Sequence, residues 1–293
     1  MTILVLGATG TVGTHVVRKL LSRNETVRVL SRRETARQSF PNTVEFAMGD
    51  LLDPATAAKA FDGVHAVFLL NAVSPTESHE ALAALNHARD AGVSRIVYLS
   101  VHKVDNAPTI PHWGAKIGVE AALASSRIPF TVLRANHFFQ NDLWAEQAMR
   151  THGIYNQPIG GIGLSRVDAH DIAEAAAITL TTPGHEGKFY DLVGPEVLTG
   201  DSTAAIWSRA FGRPVRYAGD DLIAWQRANA GHLPPWMVFD LVKMHEYFQH
   251  DGLVASPEAI ATLTRLLGRP PRSLAQFAAE TTHARQARPH SAG

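Results

Sequence analysis

Residues 2–23, TILVLGATGTVGTHVVRKLLSR, decide the fold. A short apolar run is followed by a glycine-rich turn, and then Val16, Val17, Leu20 and Leu21 fall on one face of a helix. Gly7, Gly10 and Gly13 punctuate the turn. Glycines at such a place permit a tight bend, let backbone approach a pyrophosphate and let the helix pack closely on the strand. The free N–H groups and positive dipole end of the helix then face the phosphates. A glycine triplet alone is weak evidence and also suits a plain βα turn. At the opening of a βαβ unit it points to a dinucleotide, so Gly7, Ala8, Thr9, Gly10, Thr11, Val12 and Gly13 form the expected phosphate-binding segment.

The alternation continues outward from this unit. TVRVLSRR, VEFAMGD and AVFLLN read as the second, third and fourth strands, with DPATAAKAF as a helix between the last two. HEALAALNHARDAG is a helix ending at Gly92, RIVYLS a fifth strand, GAKIGVEAALASS a helix and FTVLRANHF a sixth strand. Such alternation implies an α/β chain with a doubly wound parallel sheet and ligands outside the carboxyl ends of its strands. Past Gly153 the pattern loosens. SRVDAHDIAEAAAITLTTP is a loop leading into a helix capped by Asp168 or Asp171, and KFYDLVG a late strand. Then come DSTAAIWSRAFG as a helix, VRYAG as a strand, and two helices rich in Trp, Phe and Met. The reading is a nucleotide-binding domain over 1–150 and a smaller α/β lobe over 151–285 that shares strands with the main body. The closing ARQARPHSAG is polar and expected to fray.

Composition narrows the function classes. The 293 residues are 45% hydrophobic and 18% charged, the balance of a globular protein with a substantial core. Basic and acidic residues cancel at 27 each, so no global field draws the chain to nucleic acid or anionic lipid. Cysteine is absent, which excludes disulfides, thiolate catalysis and cysteine-ligated zinc. There is no run of about 18 apolar residues to predict a membrane span. The N-terminus starts directly as a strand without the layout of a signal peptide, so a cytoplasmic protein, monomer or homodimer, is expected. The 15 histidines include no HExxH, and His245 and His250 are too far apart to share a helix face, so no metal site is expected. No nucleophile elbow or hydrolase triad is recognisable.

The end of the second strand selects between dinucleotides. A carboxylate there binds the adenosine ribose, whereas an arginine receives a 2′-phosphate. The sequence reads Ser31-Arg32-Arg33-Glu34. Arginine's fork of donors and permanent charge suit a phosphate, so NADP(H) is the expected cofactor with Arg32 and Arg33 as its selectors. The alternative is a pair of solvated loop arginines, with Glu34 able to act in the ribose-binding sense.

GATGTVG, SRR, MGDLLDP and the later K…VE…IPFTVLRANHFFQN together make residues 1 to about 250 resemble the NmrA-like atypical short-chain dehydrogenases. That group, of Rossmann fold, includes NADP-sensing regulators, quinone and triphenylmethane dye reductases, and isoflavone-type reductases. The resemblance implies Gly49, Asp50 and Leu51 beside the adenine. It implies Leu70, Asn71 and Ala72 at the nicotinamide-side ribose, Lys116 near that ribose, and Asn136, His137 and Phe138 bordering the nicotinamide. Ordinary short-chain dehydrogenases carry Tyr-x-x-x-Lys. Here His112 stands in the tyrosine's place, one helical turn before Lys116. The histidine reads either as a proton donor near neutral pH or as a helix-start residue without chemistry. Ser100, ending the fifth strand, reads as a substrate contact or a local backbone bonder, and His102 adds a second polar group at the same mouth.

The expected function is NADPH-dependent reduction of a conjugated acceptor such as a quinone, dye or enone, with Lys116, His112 and Ser100 as the candidate catalytic residues. Trp225, Trp236, Phe239 and Phe248 are either a roof for the acceptor or core. The alternatives are a non-enzymatic NADP(H) sensor that regulates a partner, favoured by the same missing tyrosine, and a nucleotide-sugar epimerase, disfavoured by it.

Overall fold

Seven parallel strands in the order 3-2-1-4-5-6 and then the late strand Lys188–Leu192 form the sheet of the first unit in a computed structural model. The described residues are 1–286, and the last part of the polar tail, 287–293, lies outside them. In chain order the elements are β1 (Thr2–Val5), α1 (Thr11–Ser22), β2 (Thr26–Ser31), β3 (Glu45–Met48), α2 (Pro54–Phe61) and β4 (Ala66–Leu69). They continue with α3 (Glu77–Asp90), β5 (Arg95–Val101), α4 (Pro111–Ser125) and β6 (Phe130–Ala135). The strand order reverses between β1 and β4, and such a reversal opens a crevice at the strands' carboxyl ends.

The sheet is buried on both faces because helices cover both. Leu4 and Leu6, Val67 and Leu69, and Ile96 and Tyr98 pack with Phe61, Val119 and Leu123 on the side of α2, α3 and α4. Helix α1 packs against the helix Ala169–Thr181 on the other side. Asp53 caps α2 by accepting from the Ala55 N–H, with Pro54 in the first turn where its missing donor costs nothing. The sixth strand stops at Ala135, where its pairing partner Leu192 also stops, so the expected strand to Phe138 is shorter.

The two units of the chain are not consecutive segments. Of the described residues, the first comprises 1–135, 169–192 and 265–268, and the second 136–168, 193–264 and 269–286. The second unit holds a two-stranded pairing of Ile154–Tyr155 with Arg216–Tyr217. It also holds the helices Gly200–Phe211, Leu222–Asn229 and Pro235–His250. At its centre Asp142 accepts from Tyr155 Oη at 2.8 Å, Trp207 Nε1 at 2.8 Å and Arg166 at 2.7 Å. All four residues are fully buried, so Asp142 and Arg166 neutralise each other there. Among the described residues no helix is long and apolar enough to cross a membrane.

Candidate active site

The β1–α1 turn shows why glycine stands at three positions. Gly7 has φ +67°, the left-handed region, and a Cβ there would sit 2.7 Å from the Leu70 carbonyl oxygen. A Cβ on Gly13 would come within 2.1 Å of the Gly7 carbonyl oxygen, so only glycine lets α1 close on the turn. Gly10 differs: its φ of −85° suits any residue, and a Cβ would meet the Gly7 oxygen at 3.3 Å. The chain itself tolerates a side chain there. Helix α1 starts after Gly10, its N-cap, with no side-chain cap and no acidic residue in its first turn, which leaves its N–H groups for an external anion. Ala8 and Val12 turn their side chains into the core, so of these two only backbone remains for a ligand.

A cleft of about 470 Å³ opens at this turn. Its lining brings together Gly7 and Thr9, Arg32 and Arg33, Asp50 and Leu51, and Leu70, Asn71 and Ala72, which are sequence-expected residues from four separate stretches. Arg32 is 69% exposed and lies 3.9 Å from Asp50, a loose pair that solvent screens. Ser31 Oγ accepts the Arg33 N–H at 3.1 Å and so shapes the loop that carries both arginines. Asn71 is buried, yet neither its amide nitrogen nor its oxygen has a hydrogen-bond partner. Buried polar atoms of this kind are rare in finished structures, and a ribose or amide in the cleft would satisfy them. The residues present therefore fit a dinucleotide.

Beyond β4, helix α4 and the end of β5 hold the other candidate residues. Lys116, on α4 one turn after His112, is buried and donates to Glu77 Oε1 at 2.5 Å. Burial works against its charge, but Tyr98 and the carboxylates of Glu77 and Glu120 outweigh it and hold the ammonium above the ordinary lysine range. Tyr98 does not replace the missing tyrosine. Burial pushes its phenol up to about 12, and Lys116 Nζ stands 5.8 Å from its ring centroid. His112 is half-buried in the first turn of α4, edge-on to Trp113. Ser100 is buried with its Oγ unpartnered. His102, just past β5, is held through Nδ1 by Asp191 Oδ1 at 2.8 Å. Nothing in the sequence joins these two residues, which lie 89 positions apart.

Asn136, His137 and Phe138 belong to the second unit. Asn136 donates to the Leu253 carbonyl and accepts the His137 N–H, both at 2.8 Å, so its side chain serves its own backbone. The Trp225 and Phe248 rings are buried against that of His245, at 5.1 and 6.0 Å, and are core, whereas Trp236 and Phe239 are exposed. His245 is correspondingly pushed down to about 3 by burial. Among the described residues no group of three or more His, Asp or Glu is placed to hold a metal ion.

Comparison with known proteins gives consistent matches. The NAD(P)H azoreductase of Xenophilus azovorans is 35% identical over 283 residues, 94% of this chain and 96% of its own. The (4-alkanoyl-5-oxo-2,5-dihydrofuran-3-yl)methyl phosphate reductase of Streptomyces griseus is 33% identical, covering 96% and 98%. Among solved structures, the NADPH-dependent quinone oxidoreductase of Escherichia coli complexed with NADPH superposes with a TM-score of 0.84 at 26% identity, covering 95% of this chain and 99% of that one. The NmrA-like family model matches residues 1–260, and the chain belongs to the NmrA-like family.

Proposed function

We propose that the protein is an NADPH-dependent reductase of a conjugated small-molecule acceptor such as a quinone, dye or enone, working in the cytoplasm. The observation that carries this reading is the cleft of the first unit. There the Gly7 and Thr9 turn that leads into an uncapped helix, two exposed arginines and a buried, unpartnered Asn71 line one space. The reductases among its relatives support the acceptor class. Bound NADPH supplies the hydride.

The remaining tasks fall to the chain. The N–H groups of the first turn of α1 bind the pyrophosphate, and Arg32 and Arg33 take the 2′-phosphate. Asn71 orients the nicotinamide-side ribose. Lys116, with one N–H committed to Glu77, turns its other donors to the same ribose. Fixing the cofactor's nicotinamide end in this way supplies a large share of the rate. The test is NADPH oxidation against a panel of quinones, azo and triarylmethane dyes, and enones. Turnover of at least one acceptor is expected. Oxidation of NADPH by none of them would overturn the reading in favour of a redox sensor, which the replacement of the tyrosine by His112 would also suit.

Cofactor choice has its own expected result. Arg32→Ala or Arg33→Ala should weaken NADPH by about 1.5–3 kcal/mol, the range for a lost hydrogen bond to a charged group. NADH should lose far less, since it lacks the phosphate. Calorimetry giving equal losses for the two cofactors would remove the 2′-phosphate role.

A further inference from the structure

We propose that His102 is the group that hands a proton to the acceptor, with Asp191 as its positioning residue; the assignment rests on the reductase reading above. His102 follows the carboxyl end of β5, the edge of the sheet at which ligands of such folds bind. Its ring is 3% exposed. Nδ1 lies 2.8 Å from Asp191 Oδ1, which arrives on the strand Lys188–Leu192, on the far side of β6. An ionised carboxylate only accepts hydrogen bonds, so Nδ1 carries the hydrogen and Nε2 is the end left to take up and release a proton. Nε2 is buried and has no partner, and neither has Ser100 Oγ, two residues earlier at the end of β5 before the strand stops. Two buried polar atoms left over at one strand end call for a polar group from outside the chain, and an acceptor's oxygen or nitrogen is such a group. Ser100 anchors it and His102 protonates it.

The step balances as follows. A quinone takes one hydride from the dihydronicotinamide of NADPH and one proton from Nε2 of the His102 imidazolium, and leaves as the quinol. NADP⁺ and a neutral imidazole remain, and water reloads the ring. His112 is then not needed for the proton.

The chemistry of two acceptor classes isolates the role. A quinone needs hydride and proton, whereas a cationic triarylmethane dye is neutralised by hydride alone. In His102→Gln the ratio of quinone to dye turnover should fall by about 10²–10⁴-fold, the usual share of general acid catalysis. NADPH affinity by calorimetry reports whether the variant is folded, and His102→Asn gives a second substitution of different size. Asp191→Asn should move the ratio the same way by less. A readout without cofactor comes from ¹⁵N-labelled histidine. In the free protein the neutral His102 ring should be the Nδ1–H tautomer, and Asp191→Asn should admit the Nε2–H form.

An unchanged ratio in both His102 variants would overturn the assignment, as would a neutral ring in the wild type that carries its hydrogen on Nε2 and none on Nδ1. A selective loss of quinone turnover in His112→Phe instead would move the proton to that residue. A wild type that reduced the dye and no quinone would also overturn it, leaving the reductase reading in place. Only a wild type that reduces neither would remove both.

Discussion

Gly10→Val abolishes NADPH binding while the protein stays folded. The valine backbone is unstrained, since φ −85° and ψ 176° lie in the extended region, and its Cβ meets only the Gly7 oxygen at 3.3 Å. Placing valine at a helix N-cap costs about 1 kcal/mol. The branched side chain, however, stands over the N–H groups that α1 offers to a pyrophosphate, where no room remains for both. Gly13→Ala acts through the fold instead. A methyl 2.1 Å from the Gly7 oxygen forces the helix off the turn, so stability falls and binding falls with it. Urea denaturation and calorimetry on the two variants separate the effects. A Gly10→Val protein that binds NADPH normally would sink the phosphate-loop assignment.

Lys116→Met has the largest expected effect on stability. Glu77 is 2% exposed, its Oε2 is already without a partner, and Lys116 is the charge that compensates it. Removing one member of a buried pair costs about 3–5 kcal/mol. The position of Glu77 in the first turn of α3 recovers part of this through the helix dipole. The lysine's pKa is raised in the folded state, so its stabilisation is fully present below the unfolded value of about 10.4 and disappears as the pH climbs through the folded one.

Adding Glu77→Gln to Lys116→Met removes the stranded charge and should restore much of the stability. It should not restore NADPH affinity or turnover, because the donors to the ribose are still missing. Recovery of affinity along with stability would show that Lys116 acts only as the counter-ion of Glu77.

Much of the fold was legible because local patterns carried it. Each of the six strands from β1 to β6 is a short apolar run, and each intervening helix is announced by its spacing, its proline or its cap. The phosphate turn is legible for a steric reason: a backbone at φ +67° at Gly7, and a Cβ that would stand 2.1 Å from the Gly7 oxygen at Gly13, leave no residue but glycine at 7 and 13. Arg32 and Arg33 could be placed because they follow a strand whose end must lie at the crevice.

Other features depend on distance in space and left no local trace. The helix Leu274–Gln286 and the turn Phe139–Ala145 lack an isolated pattern strong enough to mark them, whereas Pro257–Leu267 carries Ile260, Leu263 and Leu267 at helical spacing behind a proline and was legible without being read. The aromatic stripe of Pro235–His250 reads as core before cleft, and burial divides it, with Phe248 inside and Phe239 outside.

The spacing of His112 and Lys116 was determined by the sequence, since four residues make one turn of a helix. That Lys116 meets Glu77 and that Asp191 holds His102 was decided by the tertiary structure. Those pairs come from different elements, and only packing α3 beside α4 and laying the late strand next to β6 brings them within hydrogen-bond reach.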